Sequence, residues 1–286
     1  MRQVIKVEKA QCCVFNNHIN REIASLNGVY GVNVNNYKNE ITIDHTTEVS
    51  FEMIAQKLEE NGYKVINEAE NVNNSINIHV PEMNDPFAVK AKEWDTPMKV
   101  KMAEKFVHEM HQNINFSKDH KALDFGCGTG LVGLQIASLV KNVILMDTST
   151  SMIEVLKSKL ENVKTENVKV INSEIFAYTQ KDIDVVFSLM AMHHIENLNE
   201  TIDHIAKILK PGGILVIGDL KEEDGTFHPE ESVAHNGFNI SQLSDIIEGS
   251  EMEVSKAYVY NIIMKNEKEY EQFILIAQKA NEPTEE

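Results

Sequence analysis

Cysteine is scarce in this chain: Cys12, Cys13 and Cys127 are the only three among 286 residues. Three thiols make no disulfide framework, and a reducing cytoplasm is the expected compartment. Basic side chains are also in short supply, with 27 Lys and Arg against 44 Asp and Glu and a formal charge of −17. Such a surface repels phosphate backbones and anionic lipid, so neither nucleic acid nor a membrane is expected as a standing partner, local basic patches aside. No apolar window approaches the roughly 20 residues that cross a bilayer. The opening Met1–Ala10 lacks an apolar stretch of secretory length. Internal repeats and low-complexity tracts are missing as well.

What is present is ordinary globular material, 42% hydrophobic and 25% charged, long enough for one large domain or two smaller ones. Residues 1–68 read strand, helix, strand, strand, helix, strand. Val4, Ile5 and Val7 form an apolar strand, and Phe15, Ile19, Ile23 and Leu26 fall at helical spacing before Gly28. Val32 and Val34 alternate, a turn over 35–39 follows, and Ile41 and Ile43 alternate again. Ser50 opens a helix carrying Ile54 and Leu58, which Asn61-Gly62 ends before Tyr63–Val65. That order predicts a small α+β, ferredoxin-like domain. Residues 69–84, polar and rich in Asn at the start, read as a linker, within which 76–80 could be a short strand or a tether. Over 85–286 amphipathic helices alternate with nearly continuous apolar strands: 122–125, 143–146, 168–171, 185–189 and 214–217. Strands of that kind belong to a parallel sheet buried on both faces, an α/β domain.

The first of these strands runs into Asp124-Phe125-Gly126-Cys127-Gly128-Thr129-Gly130. Glycines there adopt φ values closed to other residues and let a ligand approach the backbone. Asp147 ends the next strand, where a carboxylate can accept hydrogen bonds from a ribose diol. A dinucleotide site would share both features. The spacing is GxGxG rather than GxGxxG, however, and further motifs follow: Asp184–Ser188 leading to Met190-Ala191-Met192-His193-His194-Ile195, then Leu209-Lys210-Pro211-Gly212-Gly213.

In these motifs and their order, residues 85–280 resemble the class I S-adenosylmethionine (SAM)-dependent methyltransferases of Rossmann-like fold, especially the ubiquinone and menaquinone C-methyltransferase branch. The resemblance implies SAM as cofactor. Asp124 and Gly126, Gly128 and Gly130 would face its methionine end, Asp147 its ribose, and Met152 its adenine. The adenine amino group would fall to Ser173 or Glu174, in Asn172-Ser173-Glu174, where family members carry an acidic residue. Met190 would lie below the transferred methyl. Trp94 precedes a helix with Val100, Ala103, Phe106 and Val107, and either belongs to a lid over SAM or anchors that helix.

A sulfonium methyl is already electrophilic, so the protein's task is to align the acceptor and exclude water. A protonated acceptor also calls for a base, for which histidine suits neutral pH. His193 and His194 follow the fourth strand, and His228 and His235 sit in the long segment after the fifth; all four are candidates. Against that, His193 could be a packing residue at a helix start and the other two hydrogen-bonded turn residues. A metal site from Asp219, His228 and His235 lacks diagnostic spacing. Cys127, in mid-loop, is expected to point into the packing rather than to act as a nucleophile.

Residues 3–66 resemble a heavy-metal-associated (HMA) domain at Val4–Glu8, Cys12, Leu26–Val29 and Glu59–Tyr63. Such domains hold a soft metal on a CxxC loop. Here the loop reads Cys12-Cys13-Val14-Phe15, with Phe15 where the second cysteine belongs. Cys12 and Cys13 thus either bind a soft metal ion or belong to a degenerate, structural or dimerising domain. The functional expectation is methyl transfer to a small-molecule acceptor, a thiol or metalloid being favoured by the attached domain. The alternatives are C- or O-methylation of a quinone-like or phenolic metabolite, and a SAM or metal sensor without turnover. Oligomeric state is not readable.

Overall fold

Alternating and continuous apolar strands call for different burial, and the chain separates along that line into two units, Met1–Asp85 and Pro86–Glu286. The computed structural model describes residues 2–8, 22–26, 28–35, 40–46, 48–60, 64–66, 85, 87–161, 165–229 and 233–281.

In the first unit, β1 (Arg2–Glu8), β2 (Val29–Asn35), β3 (Glu40–His45) and β4 (Lys64–Ile66) form an antiparallel sheet in the order β2-β3-β1-β4. Ile5, Val7, Ile41 and Ile43 are fully or nearly fully buried, together with Ile54 and Leu58 of α1 (Phe51–Glu60). Period-2 and period-3.6 apolar faces thus meet in one core. Of the first expected helix, residues 22–24 are helical with Ile23 buried. Cys12, Cys13 and the linker over 69–84 lie outside the described residues.

The second unit is a seven-stranded sheet in the order β10-β11-β9-β8-β5-β6-β7. Its strands are β5 (Lys121–Phe125), β6 (Asn142–Asp147), β7 (Val168–Asn172), β8 (Ile183–Leu189), β9 (Leu209–Leu220), β10 (Met252–Lys265) and β11 (Lys268–Lys279). Strands β5 to β9 run parallel. Its helices are α2 (Pro97–Asn113), α3 (Gly133–Ile136), α4 (Thr150–Glu161), α5 (Leu198–Ile208) and α6 (Ile240–Glu248). Leu123, Ile144 and Met146 pack with Ile202, Ile205 and Leu243 of α5 and α6. The alternate residues Ala122, Val143 and Leu145 pack with Phe106, Ile136 and Leu156 of α2, α3 and α4. Helices on both faces explain why the central strands β5, β6 and β8 are mostly apolar.

One expectation needs correction: the sheet is not wholly parallel. Strand β11 runs antiparallel to both β9 and β10. A two-residue turn makes this unavoidable, since Asn266 and Glu267 both take positive φ, 50° and 61°, the geometry of a tight hairpin. Two long strands joined so closely must pair side by side and in opposite directions.

The chain winds outward through β5, β6 and β7, then returns to place β8 on the other side of β5. At that reversal the loops leaving the carboxyl ends of β5 and β8 diverge and open a crevice. Helix α2 closes it from one side. Phe106 lies on Gly218 of β9 so closely that a Cβ there would stand 2.5 Å from its ring. Phe106→Ala removes a wholly buried ring and should cost about 3–5 kcal/mol. Calorimetry should then show the main melting transition lowered by about 6–20 °C; a shift under 2 °C would mean that α2 does not carry this core.

Candidate functional site

After Phe125 the backbone turns back on itself through three left-handed glycines, Gly126 (φ 72°), Gly128 (φ 53°) and Gly130 (φ 84°). Each serves a different contact. A Cβ on Gly126 would lie 2.3 Å from the Ala191 methyl, and one on Gly130 would lie 2.6 Å from Leu156. These two glycines therefore admit neighbouring protein atoms. Gly128 alone faces open space, with Trp94 Nε1 3.7 Å from the place of its missing Cβ. Gly130, expected to make room for a ligand, makes room for α4 instead and does not line the pocket.

The turn is stapled to β6. Gly126 and Cys127 N–H groups both donate to the Met146 carbonyl, at 2.9 and 3.0 Å. Asp147 then accepts from Gly128 N at 2.7 Å through one oxygen and from Ser149 N at 2.8 Å through the other. Asp124 is 2% exposed and accepts from Gly133 N at 2.9 Å. Burial pushes its carboxyl up to about 8, with the charge of Asp147 adding to the rise and the Gly133 hydrogen bond opposing it. Cys127 is buried, and burial together with Asp124 and Asp147 pushes its thiol well above the usual range. A thiol held protonated beneath the turn packs rather than attacks.

These groups open into a crevice whose empty space, with the solvent at its mouth included, is about 1020 Å³. Asp124, Gly126, Gly128, Asp147, Met152, Ser173, Met190 and His194 all line it. Glu174 does not; it precedes the short turn Ile175–Ala177, and burial raises its carboxyl. Met190 takes a left-handed φ of 54° while its N–H donates to Gly218 at 2.8 Å. Strain of this kind in a long side chain's backbone is held by surrounding structure and clusters at ligand sites.

Phe87, Lys99 and Met102 also line the cavity, and the sequence carried no periodicity that would single them out. Trp94 proves to be both pocket wall and anchor. Its ring meets Phe87 edge-on at 5.6 Å and carries the Lys99 ammonium 3.0 Å above its centre. Beside it Asp95 accepts from Thr129 Oγ1 at 2.5 Å and pairs with Lys159. The segment before α2 is thereby fastened across the glycine turn.

The four histidines separate. His194 faces the cavity. His193 lies behind it, 1% exposed, with Nδ1 2.7 Å from Asp219 Oδ1. His228 stacks on His193 with centroids 5.0 Å apart, and neither of these two is a pocket wall. His235 takes the second of its two expected roles, that of a hydrogen-bonded turn residue. Its Nε2 bonds to the Ile195 carbonyl at 2.9 Å and its N–H to the His193 carbonyl at 3.0 Å, so it braces the 192–195 segment and faces a separate cavity. Asp219, a charge inside an apolar strand, pairs with His193 and is not a pocket wall. Among the described residues no group of three or more His, Cys, Asp or Glu side chains is arranged to hold a metal ion. Nor is any described helix long and apolar enough to cross a membrane.

A family model described as "Methyltransferase domain" matches residues 116–274, more than half of the chain. The chain is 31% identical over 135 residues to "Uncharacterized methyltransferase C1347.09" of Schizosaccharomyces pombe, covering 40% of this chain and 46% of that one. It is 26% identical over 183 residues to "Malonyl-[acyl-carrier protein] O-methyltransferase 2" of Ilyobacter polytropus, covering 58% and 68%. With "Demethylmenaquinone methyltransferase" of Leptospira interrogans it shares 29% over 108 residues, covering 36% and 43%. The chain thus spans only about half the length of the first and third of these relatives. Among solved structures, YcgJ of Bacillus subtilis superposes with TM-score 0.52 at 16% identity, covering 63% of this chain and 99% of that one. The [4+2]-cyclase SpnF superposes with TM-score 0.54 at 14%, covering 63% and 82%. Likeness at such identities is one of fold.

The raised carboxyl of Asp124 makes stability depend on pH. Its folded value, about 8, exceeds the ordinary 3.8, so its contribution is complete below about pH 4 and is lost as pH rises to about 8. Thermal melts of the unliganded protein should show the wild type losing stability relative to Asp124→Asn between pH 5 and 8, with the difference levelling off above. Parallel curves would contradict the burial assigned to this group.

Proposed function

Because the chain belongs to the methyltransferase-domain family, whose cofactor is SAM, we propose that it transfers the SAM methyl group to a small apolar acceptor of phenolic or quinol type. One observation carries the reading: a glycine turn without side chains, a desolvated carboxyl (Asp124) and a strand-end carboxylate (Asp147) converge on one cavity whose remaining walls are mostly apolar.

The residues present fit the cofactor. Gly128 leaves space for an amino-acid moiety above the turn, and Asp124 beneath it, raised to about 8 by burial, would be drawn back to its ionised form by an ammonium group placed against it. Asp147 retains acceptor capacity for sugar hydroxyls beyond its two backbone bonds. Met152 and Ser173 would flank the base. When bound, SAM supplies a carbon already activated by its positive sulfur: the acceptor's lone pair forms the new bond while the methyl–sulfur pair returns to sulfur. The chain's own part is to orient, to exclude water and to take a proton. Met102, Leu189, Met190 and Ile195 form the greasy wall, Phe87 and Trp94 the cover, and His194 the polar group beside them.

Two of the relatives are named for quinone pathways, "Demethylmenaquinone methyltransferase" and "Ubiquinone biosynthesis O-methyltransferase", which supports a planar, ionisable ring as acceptor. A thiol or metalloid acceptor draws support only from the resemblance of residues 3–66 to HMA domains. For that first unit we infer a ferredoxin-like accessory role, supported by the strand order β2-β3-β1-β4, with no metal assigned to it.

Titration calorimetry with S-adenosylhomocysteine should show binding that Asp147→Ala weakens about tenfold or more, the worth of a charge-assisted hydrogen bond. Methyl-labelled SAM should then label a 1,4-naphthoquinol or catechol in preference to dithiothreitol or arsenite. No affinity for the homocysteine product would overturn the reading. Label entering only thiol or arsenite would overturn the acceptor class, and binding with no transfer at all would favour a sensor.

A further inference from the structure

Directly behind the cavity wall lies a pair of ionisable groups that the account above leaves unused. His193 is 1% and Asp219 0% exposed, with Nδ1 and Oδ1 2.7 Å apart. Asp219 also accepts from Leu220 N at 2.8 Å and from His193 N at 3.2 Å. The two backbone N–H groups, one on each oxygen, mark both as acceptors, and the hydrogen of the short contact is accordingly assigned to His193 Nδ1. The ring is thereby held in one tautomer, with its basic nitrogen at Nε2.

Stability is a poor reason for such an arrangement. Taking a carboxylate and an imidazole wholly out of water is costly, and an apolar pair of equal volume would pack as well. Position suggests a better one. The His193 ring lies 4.2 Å, centroid to centroid, from that of His194, tilted by 40°. Phe87 meets His194 edge-on at 5.6 Å, and His228 stacks on His193 at 5.0 Å while meeting His194 edge-on at 5.8 Å. The backbone between them is pinned as well: His194 N donates to Ala191 at 3.1 Å, and His235 N donates to His193 at 3.0 Å. His194 is thus the one imidazole of the group that enters the cavity, and its plane is set by rigid neighbours.

We propose that Asp219 and His193 are positioning residues for His194, which takes the acceptor's proton during methyl transfer. The inference rests on the methyltransferase reading above. A proton leaves the acceptor hydroxyl for His194 and passes to water afterwards; the oxygen lone pair so uncovered forms the bond to the methyl carbon. Asp219 fixes the tautomer of His193, and the fixed His193 ring holds His194 at the angle the transfer requires, as an orienting acid does for a catalytic imidazole.

The test uses the full chain labelled with ¹⁵N-histidine. Wild type should show His193 as the Nδ1–H tautomer and His194 as a single species, with and without S-adenosylhomocysteine. Asp219→Asn should mix the tautomers of both rings and leave S-adenosylhomocysteine affinity within about twofold. With a 1,4-naphthoquinol as acceptor it should lower kcat about tenfold or more, in the range of base catalysis, at unchanged KM for SAM. Should that variant not fold, His193→Gln is read by the His194 tautomer, kcat and S-adenosylhomocysteine affinity. Tautomers unchanged in Asp219→Asn would overturn the proposal alone, as would affinity falling in step with kcat, which marks a structural role. A wild type without affinity for S-adenosylhomocysteine would overturn both this proposal and the function it refines.

Discussion

The site depends on one carboxylate. Asp147 accepts from the glycine turn through one oxygen, at Gly128 N, and from the start of α4 through the other, at Ser149 N. Strand β6 supplies it from its carboxyl end, so a single residue ties the β5 turn to the strand and helix that follow. Left-handed backbone at Gly126, Gly128 and Gly130 is possible only for glycine at low cost, and it leaves amide groups that need fixed partners. Without Asp147 the Gly128 N–H would face the cavity unanswered, and the turn would lose the bond that sets its shape.

From this fastening the rest of the cavity follows. Ala191 abuts Gly126 because no Cβ intervenes, which carries the segment after β8 up to the turn. Met190 pays for that approach with a strained φ, while His194 gains its place on the wall. Opposite, Asp95 and Trp94 bind the segment before α2 over the same turn. The two carboxyls beneath, Asp124 and Asp147, stand close enough for the charge of one to raise the other. A cationic ligand relieves that repulsion, a physical reason for such a pair to favour a sulfonium or ammonium over a neutral guest.

Much of this was legible in the residues. The apolar runs of β5, β6, β7, β8 and β9 read as buried strands because helices cover both faces, and Asp124, Gly128, Asp147, Met152 and Met190 fell on the cavity because motif order places them at strand ends or in the loops and helix starts that follow. Other features resisted reading. The hairpin of β10 and β11 hides its turn in Asn266-Glu267, whose left-handed geometry only Asn advertises. Gly126 lines the cavity as its motif suggests and also makes room for Ala191, while Gly130 serves Leu156 alone, since a one-dimensional pattern cannot tell which atom fills the missing Cβ. The partners of His235 and Asp219 escape a linear reading for a related reason: hydrogen bonds between distant segments, His235 to Ile195 and Asp219 to His193, leave no periodic trace.

The fold itself admits more than one chemistry, since a cyclase and several methyltransferases share it; the occupant of the cavity therefore matters most. Hydrogen–deuterium exchange on the full chain, with and without SAM, addresses it directly. The account predicts protection concentrated in residues 124–131, 147–152 and 190–195, the three segments that converge on the turn. Unchanged exchange in the glycine turn, or protection appearing only elsewhere, would contradict it.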